Sequence, residues 1–273
     1  MRVAVLGSGS RGNAILVEGG GTRVLVDAGF SARDLARRLE GVEVDPGSLA
    51  AIVVTHDHSD HTRGMGVFAR RHGTPLYLTR GTRDACAALL TGHEDVREYR
   101  AGRPFNVGAL SVEPFLTVHD AREPVGVAVL DPASGGRLGV ATDLGRPTAG
   151  IRHALSNCHI LVLEANHDEV LLQEAPYPWS VKARIKSSHG HLSNRAAAQF
   201  ARELYHADLL AVVLAHLSAE SNRPEMARRT VAAALDDLGY RGVLEVAVQD
   251  EPLPFLDVGE LRRRRDPGQL ALL

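Results

Sequence analysis

Cysteine, tryptophan and lysine are nearly missing from this chain of 273 residues. Cys86 and Cys158 form no CxxC pair and support no disulfide framework; they read as reduced structural thiols. Long apolar runs are missing too, since none reaches the roughly 18–20 residues that a bilayer span requires. The start, Met1-Arg2-Val3-Ala4-Val5-Leu6-Gly7, turns glycine-rich after a very short apolar run and lacks the long apolar stretch of a signal peptide. No membrane partner and a cytoplasmic location are therefore expected. An excess of one charge is also lacking. The formal net charge is -2, so the whole protein is no electrostatic magnet for nucleic acid, and such binding needs a local basic patch. Lysine occurs only at 182 and 186. Arginine supplies the remaining positive charge; it suits bidentate phosphate contacts and equally follows from genome composition.

Hydrophobic residues make up 44%, enough for a substantial core in a single large α/β domain. Short β-rich runs at 3–6, 14–18 and 23–27 are separated by glycine-rich turns. A helix is expected at 31–40, with Ser31 as N-cap and Gly41 as stop. A buried strand at 51–55, a helix at about 64–71 and a strand at 75–78 follow. Strands at 105–118, 125–130 and 135–141 come next, the last two joined as a hairpin. Helices at 148–157, 193–206 and 224–238 then alternate with strands at 159–163, 209–214 and 242–248. Mixed sheets with helices outside satisfy this pattern, strands first and then helix and strand alternating, given twice. The expected division is one hydrolase domain over 1–255 and a basic tail over 256–273 that holds Arg262-Arg263-Arg264-Arg265.

The strongest chemical signal is Val53-Val54-Thr55-His56-Asp57-His58-Ser59-Asp60-His61. A buried strand ends at Thr55 and potential ligands begin. The spacing of His56, His58, Asp60 and His61 matches neither one strand face nor one helix face, so a loop leaving a rigid strand must aim them inward. Imidazoles and a carboxylate suit zinc, manganese or iron.

His56-x-His58-x-Asp60-His61 resembles the signature of the metallo-β-lactamase fold superfamily. The resemblance implies a four-layer αβ/βα sandwich of two mixed sheets flanked by helices, with two divalent transition-metal ions, zinc or manganese, at one sheet edge. It carries over to Asp27 in Val26-Asp27-Ala28-Gly29 as a structural aspartate. It carries over likewise to His119 in Val118-His119-Asp120, Asp143 in Thr142-Asp143-Leu144-Gly145 and His216 in Ala215-His216-Leu217-Ser218. One metal would then be held by His56, His58 and His119, and the other by Asp60, His61 and His216, with Asp143 bridging. Gly7-Ser8-Gly9-Ser10-Arg11-Gly12-Asn13, Glu164-Ala165-Asn166-His167-Asp168, Tyr177-Pro178-Trp179, Gly190-His191-Leu192-Ser193-Asn194 and the run 215–222 are similar to the YycJ/WalJ branch. That branch is described as exonucleases and resembles the ribonuclease Z and ribonuclease J groups. The chain has no room for the extra β-CASP domain of ribonuclease J.

This likeness implies a phosphodiesterase in which a hydroxide shared by two metals attacks phosphorus. Asp60 would orient the nucleophile, His191 would donate a proton to the leaving group, and Glu164 would orient His191 or a ligand. Ser8, Ser10 and Asn13 offer donors to a phosphate. Trp179, Lys182 and Lys186 form the first place to look for a nucleic-acid contact by stacking and charge. His167 and His189 could reach the site or be ordinary loop residues. The leading function is a nuclease, a 5'→3' exonuclease on DNA ahead of RNA. The alternatives are hydrolysis of a small phosphodiester or thioester, and a metal-bound regulatory protein with little turnover.

Overall fold

The strand-forming segments sort into two seven-stranded sheets of matching construction. The computed structural model describes residues 1–265. The first sheet takes β1 (Arg2–Gly7), β2 (Ala14–Gly19), β3 (Thr22–Val26), β4 (Ala51–Val53), β5 (Leu76–Leu78) and β6 (Val96–Glu98) in that order. The second takes β7 (Phe105–Val107), β8 (Leu110–Leu116), β9 (Val125–Asp131), β10 (Gly136–Ala141), β11 (Ile160–Glu164), β12 (Ala211–Ala215) and β13 (Val243–Val246). In each sheet the early strands pair antiparallel and the late ones parallel: β3 to β6 in the first, β10 to β13 in the second. Both halves of the chain thus repeat one plan.

Side-chain alternation explains the layers. Val3, Val5, Val24, Val26, Val127, Val129 and Val162 point between the sheets and form a shared core. Their neighbours Leu6, Leu16, Leu25 and Ile52 turn outward under α1 (Ala32–Gly41) and α3 (Met65–His72). On the other sheet Leu161, Leu163, Val212 and Leu214 meet α5 (Ala149–Leu155), α8 (Asn194–Leu204) and α9 (Pro224–Asp236). Strands buried on both faces need the near-continuous apolar runs seen in the sequence. Ser31 caps α1 by accepting from Asp34 N at 3.2 Å, and Ser193 caps α8 by accepting from Ala196 N at 3.2 Å.

Several elements differ from the sequence expectation. The stretch 105–118 is a hairpin, because Gly108 adopts a left-handed φ of 53° and turns the chain. A short α2 (Ser59–Thr62) lies inside the histidine loop, and α4 (Arg80–Ala85), α6 (Glu169–Glu174) and α7 (Trp179–Lys186) are added. Residues 256–265, expected as a tail, are built into the domain. β14 (Leu256–Asp257) pairs antiparallel with β1, and α10 (Val258–Arg265) buries Val258 and Leu261 in the shared core. The rest of the expected tail lies outside the described residues. Among the described residues no helix is long and apolar enough to cross a membrane.

Candidate metal centre

Strands of both sheets end at one edge, and each end delivers a polar residue. Asp27 follows β3, Thr55 and His56 follow β4, Asp143 follows β10, Glu164 ends β11 and His216 follows β12. Asp27, Asp143 and His216 take left-handed φ values of 65°, 57° and 55°. Such backbone costs on the order of 1–3 kcal/mol per residue and persists only where the surroundings impose it. Here it turns three side chains off their strands toward one point. The single helical turn of α2 then aims Asp60 and His61 back at the same point, behind the extended His58. Gly29 makes the approach possible, since a Cβ there would sit 1.6 Å from the Asp60 carbonyl oxygen.

Most of the imidazoles are fixed through Nδ1. His61 Nδ1 donates to Asp27 Oδ2 at 2.8 Å, and Asp27 Oδ1 also accepts from Thr55 N at 2.8 Å. Thr55 Oγ1 pairs with His56 Nδ1 at 3.0 Å. His119 Nδ1 donates to Gly190 O at 3.2 Å. His216 and His191 both donate from Nδ1 to Glu164 Oε1, at 2.9 and 2.8 Å. Glu164 is fully buried and further accepts the backbone N–H groups of Asp143, Leu144 and Leu192. Tying Nδ1 selects the tautomer and presents Nε2 to the centre.

The ligand atoms of His56, His58, His119 and Asp143 lie within 4.8 Å of one another, as do those of Asp60, His61 and His216. Asp143 also faces the second group, 3.0 Å from His61 Nε2 and 3.6 Å from His216 Nε2. Nitrogen ligands about 2.0–2.1 Å from an ion sit closer together than this bound, so a small contraction suffices for coordination. His56 Nε2 is buried without a hydrogen-bond partner, which is costly unless an ion meets it. Burial opposes charge on His61 and His216. Even so, Asp27 and Asp143 around His61, and Asp143, Asp60 and Glu164 around His216, hold both pKa values well above the ordinary histidine range. Burial likewise pushes the Glu164 carboxyl up, but His191 and His216 override it and bring it to about 2. Both rings thus sit in strongly negative surroundings, which suit divalent cations. The donor set fits two such ions.

A cavity of about 280 Å³ opens over this edge. Of the sequence candidates, His58, Asp60, Asp143, His191, His216 and Ser10 line it. Ser8 and Asn13 are buried beneath: Ser8 Oγ donates to Asn13 Oδ1 at 2.8 Å and accepts from His216 N at 2.8 Å, while Asn13 Nδ2 donates to Asp60 Oδ2 at 3.2 Å. Their polar groups are spent on holding ligands, so they do not offer the free phosphate donors expected of them. Trp179 is 82% exposed and stands outside the cavity, and Lys182 Nζ donates to Gln173 O. Lys186 faces a neighbouring cavity. From the same segment Tyr177, quoted above as part of the motif 177–179, and Arg184, which lies between the two lysines, were not singled out as binding residues, yet both line the central cavity. Arg184 is paired with Asp120, the residue after His119; its place among the basic residues of α7 was the available signal. His167 lines the neighbouring cavity and His189 is exposed.

Residues 22–216 match the Beta-lactamase superfamily domain. The chain is 33% identical over 242 residues to "Exodeoxyribonuclease YycJ" of Bacillus anthracis, covering 88% of this chain and 91% of that protein. It is 33% identical over 244 residues to "Exodeoxyribonuclease WalJ" of Streptococcus pneumoniae, covering 87% and 90%. Among solved structures, the metallo-β-lactamase fold protein YhfI of Bacillus subtilis superposes with a TM-score of 0.71 at 18% identity, over 92% of this chain and 98% of that one.

Proposed function

The chain belongs to the metallo-β-lactamase superfamily and is a metal-dependent hydrolase, and on that premise we propose that it is a dinuclear 5'→3' exonuclease acting on DNA in the cytoplasm. The observation that carries the two-metal part is the double cage, with Asp143 facing both ligand groups. His56, His58 and His119 would hold one ion; Asp60, His61 and His216 would hold the other. Zinc and manganese both accept this donor set. Bound there, such ions would supply an acidified water and charge neutralisation at the phosphoryl oxygens. The names of two relatives matched over most of their length support DNA as the substrate.

The protein's own groups supply the rest. Asp60 Oδ2, held by Asn13 Nδ2, orients the attacking water. His191, fixed through Nδ1 on Glu164, keeps Nε2 for the leaving oxygen. Burial disfavours its charge, yet the Glu164 carboxylate raises its pKa above the usual value and keeps it a competent donor. The water oxygen bonds to phosphorus, the P–O bond to the leaving group breaks, and the alkoxide takes the His191 proton. The proton that water loses restores His191. Tyr177 and Arg184 bind the strand at the cavity wall, and Trp179 extends that surface by stacking a base.

The test is a manganese-supplemented assay on end-labelled single- and double-stranded DNA and RNA. Terminal mononucleotides should be released from DNA. The small central cavity favours one second reading, a small phosphodiester or thioester substrate. Turnover of such a compound with every polynucleotide left intact would establish that reading and overturn the first.

A further inference from the structure

His216 follows β12 with a left-handed φ of 55°, which a residue other than glycine keeps only where its surroundings fix it. Three partners fix it. The backbone N–H donates to Ser8 Oγ at 2.8 Å, and ring Nδ1 donates to Glu164 Oε1 at 2.9 Å. The backbone carbonyl accepts from Asn166 Nδ2 at 2.9 Å. A carbonyl can only accept, so the Asn166 amide must turn its NH2 group toward His216. Asn166 is buried and is itself held at both backbone groups: its N–H donates to Leu192 O at 2.9 Å, and its carbonyl accepts from Ser218 N at 2.8 Å. It thereby ties the loop after β11 to the segments 190–194 and 215–222. A second pair of buried amides ties the same loops. Asn194 and Asn222 bond reciprocally at 2.9 Å, and Asn222 Nδ2 also donates to Ala165 O at 2.8 Å. Of these three asparagines, only Asn166 bonds a candidate ligand residue through its side chain.

We propose that Asn166 is a positioning residue for His216 and, through it, sets the affinity of one ion of the pair, the one at Asp60, His61 and His216. The inference rests on the two-ion reading above. The other group takes its support elsewhere: His56 Nδ1 pairs with Thr55 Oγ1, and His119 Nδ1 donates to Gly190 O. Without the Asn166 amide the His216 carbonyl would be buried with no donor, and such a group is expensive to leave unmatched. The strained backbone relieves that cost by leaving the left-handed region. The rotation carries the ring with it and withdraws Nε2, which now stands 3.2 Å from Asp60 Oδ2, from its ligand group. Asn166 also lines the central cavity, so a loss of activity would not separate positioning from contact with substrate. Metal binding separates them.

The test is calorimetric titration of the metal-stripped full chain with manganese, for the wild type, Asn166→Leu and Asn194→Ala. Leucine nearly matches asparagine in shape and cannot donate. Asn166→Leu should bind one ion about 10- to 100-fold more weakly, the scale of a lost support behind a ligand, and the other ion as the wild type does. With two equivalents of manganese, its electron paramagnetic resonance spectrum should change from that of a coupled pair to that of an isolated ion. Asn194→Ala breaks a buried amide pair in the same loops; it should lower the midpoint of urea unfolding and leave both affinities unchanged. Should leucine prevent folding, Asn166→Ala removes the same donor without added bulk and carries the same expectation. Wild-type affinity for both ions in the Asn166 variant would overturn the proposal. So would an equal loss in Asn194→Ala, which would make the effect one of loop stability. A wild type that binds a single ion, weakened by Asn166→Leu and not by Asn194→Ala, would retain the tie to His216 and sink the two-ion reading. A wild type that binds none would overturn both.

Discussion

The ligand edge and the α6–α7 segment border the same cavity, but they are built in opposite ways. At the edge, His56, His61, Asp143, Glu164 and His216 are buried, and all but His56 and Asp143 have each polar atom matched to a protein partner. Three left-handed residues and the close contact at Gly29 show how much geometry the fold imposes there. In contrast, α7 buries none of its residues. It is held by Arg184 on Asp120, by Lys182 on Gln173 O and by the backbone bond from His191 N to Ile185 O. Pairs this exposed contribute on the order of 0–1 kcal/mol each. In the proposed nuclease this contrast would separate two tasks: the preorganised edge would perform the chemistry, and the loosely anchored segment would choose which strand arrives.

Substitutions can break or sharpen that division. His58→Ala removes a half-buried ring from the cage; kcat should fall by about 10³-fold or more with the circular dichroism spectrum unchanged, and full activity would end the role assigned to His58. Glu164→Gln leaves the ligands in place but weakens the anchor of His191 and His216, so metal affinity or kcat should drop about 10- to 100-fold. The same change should lower the midpoint of urea unfolding, because five hydrogen bonds converge on that carboxylate. Trp179→Ala touches the selecting segment alone; KM for DNA should rise about tenfold, the scale of one lost base stack, with kcat kept. A large kcat effect at Trp179 would erase the division between edge and segment.

The legibility of the sequence follows the same contrast. The loop at His56–His61 is readable because the apolar run stops abruptly at Thr55, whereas Asp143 and His216 came only from the family resemblance, and the doubled order of strands and helices suited mixed sheets with helices outside. What was missed depends on contacts between distant residues. Nothing local marks Ser8 and Asn13 as supports for His216 and Asp60, since their hydroxyl and amide suit phosphate equally well. Nothing local shows that Gly29 lies under the Asp60 carbonyl. On α7 the cations could be seen but not which way they faced, because eight residues with no apolar stripe leave the helix rotation undetermined. The arginine-rich end read as a tail for a similar reason: two residues of β14 are too few for a strand signal, and Val258 and Leu261 become core only once β1 is in place.

The central claim is that one edge of this fold holds two metal ions through Asp143. Metal content per chain, measured by mass spectrometry on protein purified without chelators and loaded with manganese or zinc, tests it most directly. The account predicts two ions bound by the wild-type protein and a loss of occupancy in Asp143→Ala. A wild-type chain that holds no ion, or an Asp143→Ala chain that still holds two with unchanged affinity, would contradict it.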